Sequence, residues 1–330
     1  MASATFVGAS APAAASGMVR AGVVNFHQSF VGEQIGCRKA QRNRGFTLAA
    51  AQPLLTGRFR KNARVFAQTT AASPVPVLDP ELQDSLKRAV AKKAVELVKA
   101  GNVVGLGTGS TASMAIEELG KLIQAGKLKD VVAVGTSYQA RVLARQFGVK
   151  TVDLNDVNHI DIAFDGADEV DRSMNLIKGG GAAHTLEKVV DTMAKQVVIL
   201  VDQSKVVSEL GLSFPVPVEV LPPAISPVLR SLVAIGGEPE IRSALRKDGP
   251  VITDLGNMIV DVRFPNGIKD AAALEREINN IPGVVENGLF VGIVNTVLVA
   301  ARDGDETTIV ELADFVQSLP TKEEAAAAAS

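Results

Sequence analysis

Four short runs of this chain are apolar almost without interruption: residues 103–106 (VVGL), 131–134 (VVAV), 160–164 (IDIAF) and 196–201 (QVVILV). Lacking polar alternation, none of them reads as a strand with one wet face. Between them, apolar residues recur at three- and four-residue spacing. Leu82, Leu86, Val90, Ala94, Val95 and Val98 predict a helix starting at Asp79 and stopped by Gly101. Further helices are predicted over residues 112–124 and 138–147, with a strand at 151–154. Strands buried on both faces and alternating with helices predict an α/β fold, with a parallel sheet covered on both sides.

The pattern changes at Phe214-Pro215-Val216-Pro217. From there to Gly292 the predicted order is strand 216–221, helix 226–235, strand 240–244, strand 251–264 interrupted at Gly256-Asn257, helix 270–279 and strand 284–291. This β-α-β-β-α-β order is ferredoxin-like. A strand at 295–301 and a helix at 308–317 are expected to return to the first domain. With 330 residues, enough for about two domains, the expected division is a parallel-sheet domain over 73–212 plus 293–320, a ferredoxin-like domain over 213–292, and a polar tail at 321–330.

Residues 1–72 stand apart. They hold nine Lys and Arg, one acid (Glu33), and many Ala and small hydroxyl residues. That composition reads as a transit peptide. The first nineteen residues carry no Lys or Arg, which favours a plastid over a mitochondrion, and Val65-Phe66-Ala67 could precede the cleavage point. A basic arm is the blander alternative. Without this segment, Lys and Arg fall from 34 to 25 and Asp and Glu from 36 to 35, leaving a net charge of −10. An acidic body argues against a nucleic-acid partner. No apolar stretch of about 20 residues predicts a membrane span. The single cysteine, Cys37, lies in the segment, so the remainder has no thiol for a disulfide or a zinc site.

Chemistry concentrates between Phe164 and Lys188, FDGADEVDRSMNLIKGGGAAHTLEK. A buried strand ends in Asp165-Gly166-Ala167-Asp168, and strand ends are where open α/β sheets place ligands. Gly166 permits a sharp turn that could aim both carboxylates at one pocket; Glu169 and Asp171 read as solvated acids of a turn. Lys178 precedes Gly179, Gly180 and Gly181, which puts a cation beside backbone amides able to steady an oxyanion; a flexible loop with a surface lysine is the alternative. Glu187 opens the next helix as either a capping partner or a general base, and an ordinary glutamate pKa of about 4.3 would leave it ionised. His184 reads as a polar helix-start residue and His159 as a loop residue. With no paired histidines, no metal site is expected.

A second loop, Gly107-Thr108-Gly109-Ser110-Thr111, joins a strand to a helix. Glycines let amides approach an anion, the helix start adds positive potential, and the Ser110 and Thr111 hydroxyls can donate. Ser110 stands where a dinucleotide fingerprint needs glycine, and the Gly-Lys-Ser/Thr of a Walker loop is missing. A cradle for a monophosphate or sugar fits, as does a tight turn with a cap. Lys205 ends a strand in Asp-Gln-Ser-Lys and could meet a phosphate in the same crevice.

Taken in order, GLGTGSTA, GTS, DGADEVD, KGGGA with EK nine residues after the lysine, and PVEV resemble the type A ribose-5-phosphate isomerase family, over about residues 86–310. The resemblance implies a Rossmann-like domain with a smaller ferredoxin-like domain, and a homodimer. It implies interconversion of ribose 5-phosphate and ribulose 5-phosphate without metal or organic cofactor. By position, Glu187 resembles the base that moves a proton between C2 and C1, and Asp165 the acid implicated in ring opening. Asp168 and Lys178 resemble groups that hold sugar hydroxyls and enediolate oxygens. Thr108, Gly109, Ser110, Thr111, Gly179, Gly180, Gly181 and Lys205 resemble the other substrate contacts. Many family members carry Arg before the catalytic Glu, where this chain has Leu186. A sugar-phosphate sensor on the same fold would keep the glycine loop without the base, and an acyl-coenzyme A transferase would use a Glu as nucleophile.

Overall fold

In the computed structural model, which describes residues 78–319, the apolar runs become neighbouring strands. The segment read as a transit peptide, Cys37 within it, and the tail at 321–330 lie outside the described residues. Helix α1 (Pro80–Ala94) begins where Asp79 accepts from the amides of Glu81 and Leu82. It is followed by β1 (Val103–Leu106), α2 (Ser110–Gln124), β2 (Val132–Gly135), α3 (Tyr138–Gln146), β3 (Lys150–Thr151) and β4 (Ile162–Asp165). A short pair, β5 (Glu169–Val170) and β6 (Leu176–Ile177), precedes α4 (His184–Met193) and β7 (Val197–Asp202). Next come β8 (Val216–Val220), α5 (Ile225–Ala234), β9 (Glu238–Ile241), β10 (Met258–Arg263), α6 (Ala271–Asn279), β11 (Val284–Asn287) and β12 (Leu289–Phe290). The hairpin β13 (Thr296–Asp303) and β14 (Glu306–Glu311) and helix α7 (Leu312–Ser318) complete the described chain.

The main sheet runs β14-β13-β7-β4-β1-β2-β3. Every pairing from β13 to β3 is parallel, and only the edge strand β14 is antiparallel. All six residues of β7 are buried, as a strand covered on both faces requires. Leu86, Val90, Ala91 and Ala94 of α1 are fully buried, and α1 packs on β7 and β13. Burying each Leu or Val of that stripe contributes about 1.5–3 kcal/mol. The chain leaves β1 outward through β2 and β3, then returns to the other side of β1 as β4. The carboxyl ends of β1 and β4 therefore flank the point where strand order reverses, the usual crevice for a ligand.

A second sheet runs β11-β8-β10-β9, antiparallel throughout. In order of appearance this is fourth, first, third, second, the ferredoxin-like arrangement. Its core is Val218, Val220, Val260 and Val262 with Val228, Leu232 and Ile278 from the helices. The small sheet β12-β6-β5 lies in neither.

Several boundaries differ from the sequence reading. The run 284–291 is two strands in different sheets, divided at Gly288. Only Lys150–Thr151 of the third strand region is extended; residues 154–156 form a 3-10 turn whose start Asp153 caps. Of residues 251–264, only Met258–Arg263 form a strand. The helix expected over 308–317 is a strand up to Glu311 and a helix only from Leu312. Thr307, Thr308, Ile309 and Val310 are β-branched and suit the pleated surface, and Gly304 turns the hairpin at φ +58°.

Candidate active site

At the crevice, the loop after β1, the loop after β4, the glycine segment after β6 and the start of α4 surround one pocket of about 190 Å³. Thr108, Gly109, Ser110, Thr111, Gly166, Ala167, Asp168, Lys178, Gly179, Gly180, Gly181, Glu187 and Lys205 all line it. Every residue singled out from the sequence as catalytic or substrate-binding is in this lining except Asp165.

Asp165 departs from the expectation that both acids of the turn would face the pocket. It is fully buried beneath the floor. The amides of Gly166 and Thr108 donate to its Oδ1 at 2.7 and 3.3 Å. Lys178 Nζ stands 2.9 Å from its Oδ2. Only glycine can sit opposite: a Cβ at Gly107 would lie 2.1 Å from Asp165 Oδ1. Asp168 does reach the lining, and its Oδ2 accepts from the Gly180 amide at 2.8 Å.

Lys178 joins the two levels. Its Nζ donates to the Gly166 carbonyl at 2.6 Å, contacts Asp165 below, and stands 3.3 Å from Glu187 Oε2. The two carboxylate contacts are charge contacts without hydrogen-bond alignment. The Phe290 ring lies 5.3 Å from the ammonium, within cation–π range. Burial works against the charged lysine, yet Asp165, Glu187 and Asp191 outweigh it and hold its pKa above the ordinary value.

Glu187 is 3 % exposed and lies in the first turn of α4. The expectation of an ordinary, fully ionised carboxylate does not hold. Burial, then the charge of Asp165, pushes its pKa up to about 8, with Lys178 opposing and Asp168 adding to the rise. Burial also raises Asp165, against Lys178 and the two amides. A carboxylate with a proton affinity near neutral is suited to take a proton and give it back.

The glycine segment is fixed from outside the pocket. Arg242, which follows β9, donates to the carbonyls of Gly179 and Gly180 at 2.9 and 3.1 Å and pairs with Asp261. The Gly288 carbonyl accepts from the Lys178 amide at 2.9 Å. Gly179 adopts φ +105°, and a Cβ there would meet His184 Nδ1 at 2.7 Å. His184 is fully buried, and burial lowers its pKa to about 4. Its Nε2 lies 3.3 Å from the Glu286 carbonyl oxygen. At the head of α4, Thr185 donates to the buried Glu219, which also accepts from Thr253 and Asn257.

On the β1 loop, the Thr108 hydroxyl is committed to Thr136 and Ser137 at 2.8 and 2.7 Å, so Thr108 meets the pocket with other atoms. Gly109 caps α2 without a side-chain bond, and the first-turn amides at Ser110 and Thr111 keep the anion-binding character of a helix start.

Glu169 is the other correction. Instead of a solvated turn acid, it is 1 % exposed and accepts from Gly211, Ser213 and Phe214. Asp171, half-buried, accepts from Ser173 and Asn175 within its turn. Sequence reading missed Gln83, Lys87 and Asp202, which also line the pocket. Gln83 and Lys87 are four apart on α1, a spacing that puts them on one face; Gln83 donates to Asp202 at 3.2 Å. Among the described residues, no group of three or more His, Cys, Asp or Glu is arranged to hold a metal ion.

Fold and pocket together define an α/β protein equipped to hold a polar, anionic ligand beside a carboxylate of raised proton affinity and a buried ammonium. The family model for ribose 5-phosphate isomerase A (phosphoriboisomerase A) matches residues 132–304. Ribose-5-phosphate isomerase A of Thermosynechococcus vestitus is 58% identical over 214 residues, which is 65% of this chain and 90% of that protein. The Trichormus variabilis protein of the same name is 52% identical over 237 residues, 72% of this chain and 97% of its own. Among solved structures, ribose 5-phosphate isomerase A from Methanocaldococcus jannaschii is 51% identical with a TM-score of 0.65, covering 69% of this chain and 99% of that one. A D-ribose-5-phosphate isomerase in complex with phospho-erythronic acid is 43% identical with a TM-score of 0.67, covering 69% and 98%. The chain belongs to the ribose 5-phosphate isomerase A family.

Proposed function

We propose that this protein interconverts D-ribose 5-phosphate and D-ribulose 5-phosphate by proton transfer through an enediolate. The observation that carries the reading is Glu187 and Lys178 in contact at the edge of one polar pocket. Glu187 takes the proton from C2 of the open-chain aldose, and the electron pair left behind turns the C1 carbonyl into an enediolate oxygen. Lys178 and the amides of the glycine segment steady that charge. Glu187 then returns the proton to C1 while the O2 hydroxyl proton passes to O1, leaving a ketone at C2. One carboxylate serves both carbons because the proton leaves and returns on one face.

Asp168 lines the pocket and holds sugar hydroxyls. Asp165 acts from beneath the floor, through Lys178, and the ring-opening role implied by family resemblance would reach the sugar by that route. The phosphate lies among Lys87, Lys205 and the first turn of α2, where cations and free amides converge on one lining. The phospho-erythronic acid held by the relative supports a sugar-phosphate ligand.

Residues 1–72 serve as a chloroplast transit peptide, and the enzyme works in the stroma, in the Calvin cycle and the non-oxidative pentose phosphate pathway. Their composition and the similarity to cyanobacterial proteins support this. The mature protein is a homodimer, with a catalytic domain over 73–212 plus 293–320 and a ferredoxin-like domain over 213–292. A chain beginning at Gln68, assayed for ribulose 5-phosphate formation with and without EDTA, tests the activity; no product in either condition would overturn it. Import of a fluorescent protein carrying residues 1–72 into chloroplasts tests the targeting, and sedimentation tests the dimer.

A further inference from the structure

Helix α4 carries a second acid that the pocket does not account for. Asp191 is 2 % exposed, and its Oδ2 is buried without a hydrogen-bond partner. It lies four residues after Glu187, where side chains of a helix are neighbours on one face. Glu187 Oε2 is likewise buried without an aligned donor. The charged groups that reach Asp191 are Asp165 at the end of β4, Lys178 after β6 and Glu187 on its own helix. The buried lysine of the same helix, Lys188, pairs instead with Glu275 and Glu286 at 3.4 and 2.8 Å.

Three buried carboxyls therefore share one buried ammonium. They cannot all be ionised in a low-dielectric interior, so a proton stays in the cluster. Asp165 has Lys178 and two backbone donors, and Glu187 has Lys178. Asp191 has the least support for a negative charge and keeps the proton. Burial, joined by the charges of Asp165 and Glu187 and opposed by Lys178, raises its pKa well above the ordinary value of an aspartate.

We propose that Asp191 is a positioning residue, a neutral acid whose O–H turns to Glu187 and holds that carboxylate oriented and ready to act as the base. The inference rests on Glu187 being the base. A donor to the ionised form favours that form, which offsets part of what burial takes from Glu187. Asp191 keeps its own proton through the cycle; the proton that moves is the one Glu187 takes from the sugar.

The test compares Asp191→Leu, which removes the donor at similar size, with Asp191→Asn, which restores a neutral donor. In Asp191→Leu the acid limb of kcat/KM moves up by about one pH unit and kcat near neutral pH falls about tenfold, with KM changed less than about threefold. Asp191→Asn returns the limb towards its original position. An unmoved limb in Asp191→Leu would overturn the proposal, as would a downward shift in Asp191→Asn, because Asp191 would then be ionised. Should the Leu variant not fold, infrared difference spectra of the unmodified protein against Asp191→Asn decide the matter. A protonated-carboxyl band at neutral pH, lost in the variant, is expected; its absence overturns the proposal. Were Glu187→Gln to keep full turnover, the positioning role would fall with the base itself, and a surviving acid band would show that the failure lay in the base assignment.

Discussion

The ammonium of Lys178 stands 3.3 Å from Glu187 Oε2, with the two side chains only 3 % and 4 % exposed. A charge pair this deep is held by geometry more than by net attraction, because desolvation offsets much of the Coulomb gain. Burial and Asp165 act most strongly on both partners, and each then shifts the other's proton affinity in addition.

Replacing Glu187 with Gln keeps size and removes the proposed base. Turnover of ribose 5-phosphate is expected to fall by ~10³-fold, while calorimetric binding of the sugar phosphate stays within about threefold. Turnover near the original value would remove Glu187 from the mechanism.

The pH dependence follows from the same residue. Glu187 has a pKa raised to about 8, and as the proposed base it would act in its ionised form. The logarithm of kcat/KM should rise with pH and bend near 8, whereas an unperturbed glutamate would bend near 4.5. For stability the sign is opposite. The folded state binds the extra proton between those two values, so this group's contribution is complete below 4.5 and is lost as pH rises through about 8. Glu187→Gln should gain more than about 1 kcal/mol relative to the unmodified protein at alkaline pH, measured by urea unfolding.

Lys178→Met leaves Asp165 and Glu187 buried without their cation. Such uncompensated burial costs about 3–5 kcal/mol. A lower urea midpoint is expected, together with an acid limb displaced upward and a large fall in kcat. A variant of unchanged stability would show that the carboxyls simply take up protons when the lysine goes.

Gly107→Ala places a Cβ 2.1 Å from Asp165 Oδ1. The carboxylate or the β1 loop must shift, which should cost about 1–3 kcal/mol. Activity should drop with it, since Asp165 holds Lys178. Gly109→Ala is a useful contrast: nothing lies within 4 Å of the added methyl, and its penalty comes only from φ +107°.

Arg242→Ala removes the donors that fix the Gly179 and Gly180 carbonyls. Charged hydrogen bonds of this kind contribute about 1.5–3 kcal/mol. Because the glycine segment lines the pocket, KM for ribose 5-phosphate should rise and kcat fall together. Normal kinetics with reduced stability would confine Arg242 to the fold.

Much of this was legible in the chain because it is local. Each apolar run is a self-contained strand, and Asp165, Asp168, Lys178, Gly179, Gly180, Gly181 and Glu187 lie within one stretch. What sequence could not show arrives from afar. Glu169 looked like a solvated turn acid because the amides that bury it belong to residues 42 to 45 positions later. Arg242 carries no motif, and it meets the glycine segment 62 and 63 positions away. The proton affinity of Glu187 depends on depth, which spacing does not encode. The helix expected over 308–317 failed differently: its β-branched residues pair with β13 along a seam that only the sheet order reveals.

No residue of 213–292 is among those lining the pocket, yet that stretch grips the Lys178 backbone through Gly288, the glycine carbonyls through Arg242 and the head of α4 through Glu219. It behaves as an anvil under the chemistry. Core exchanges in its four-stranded sheet should therefore retune the pocket from behind, without replacing any side chain that lines it.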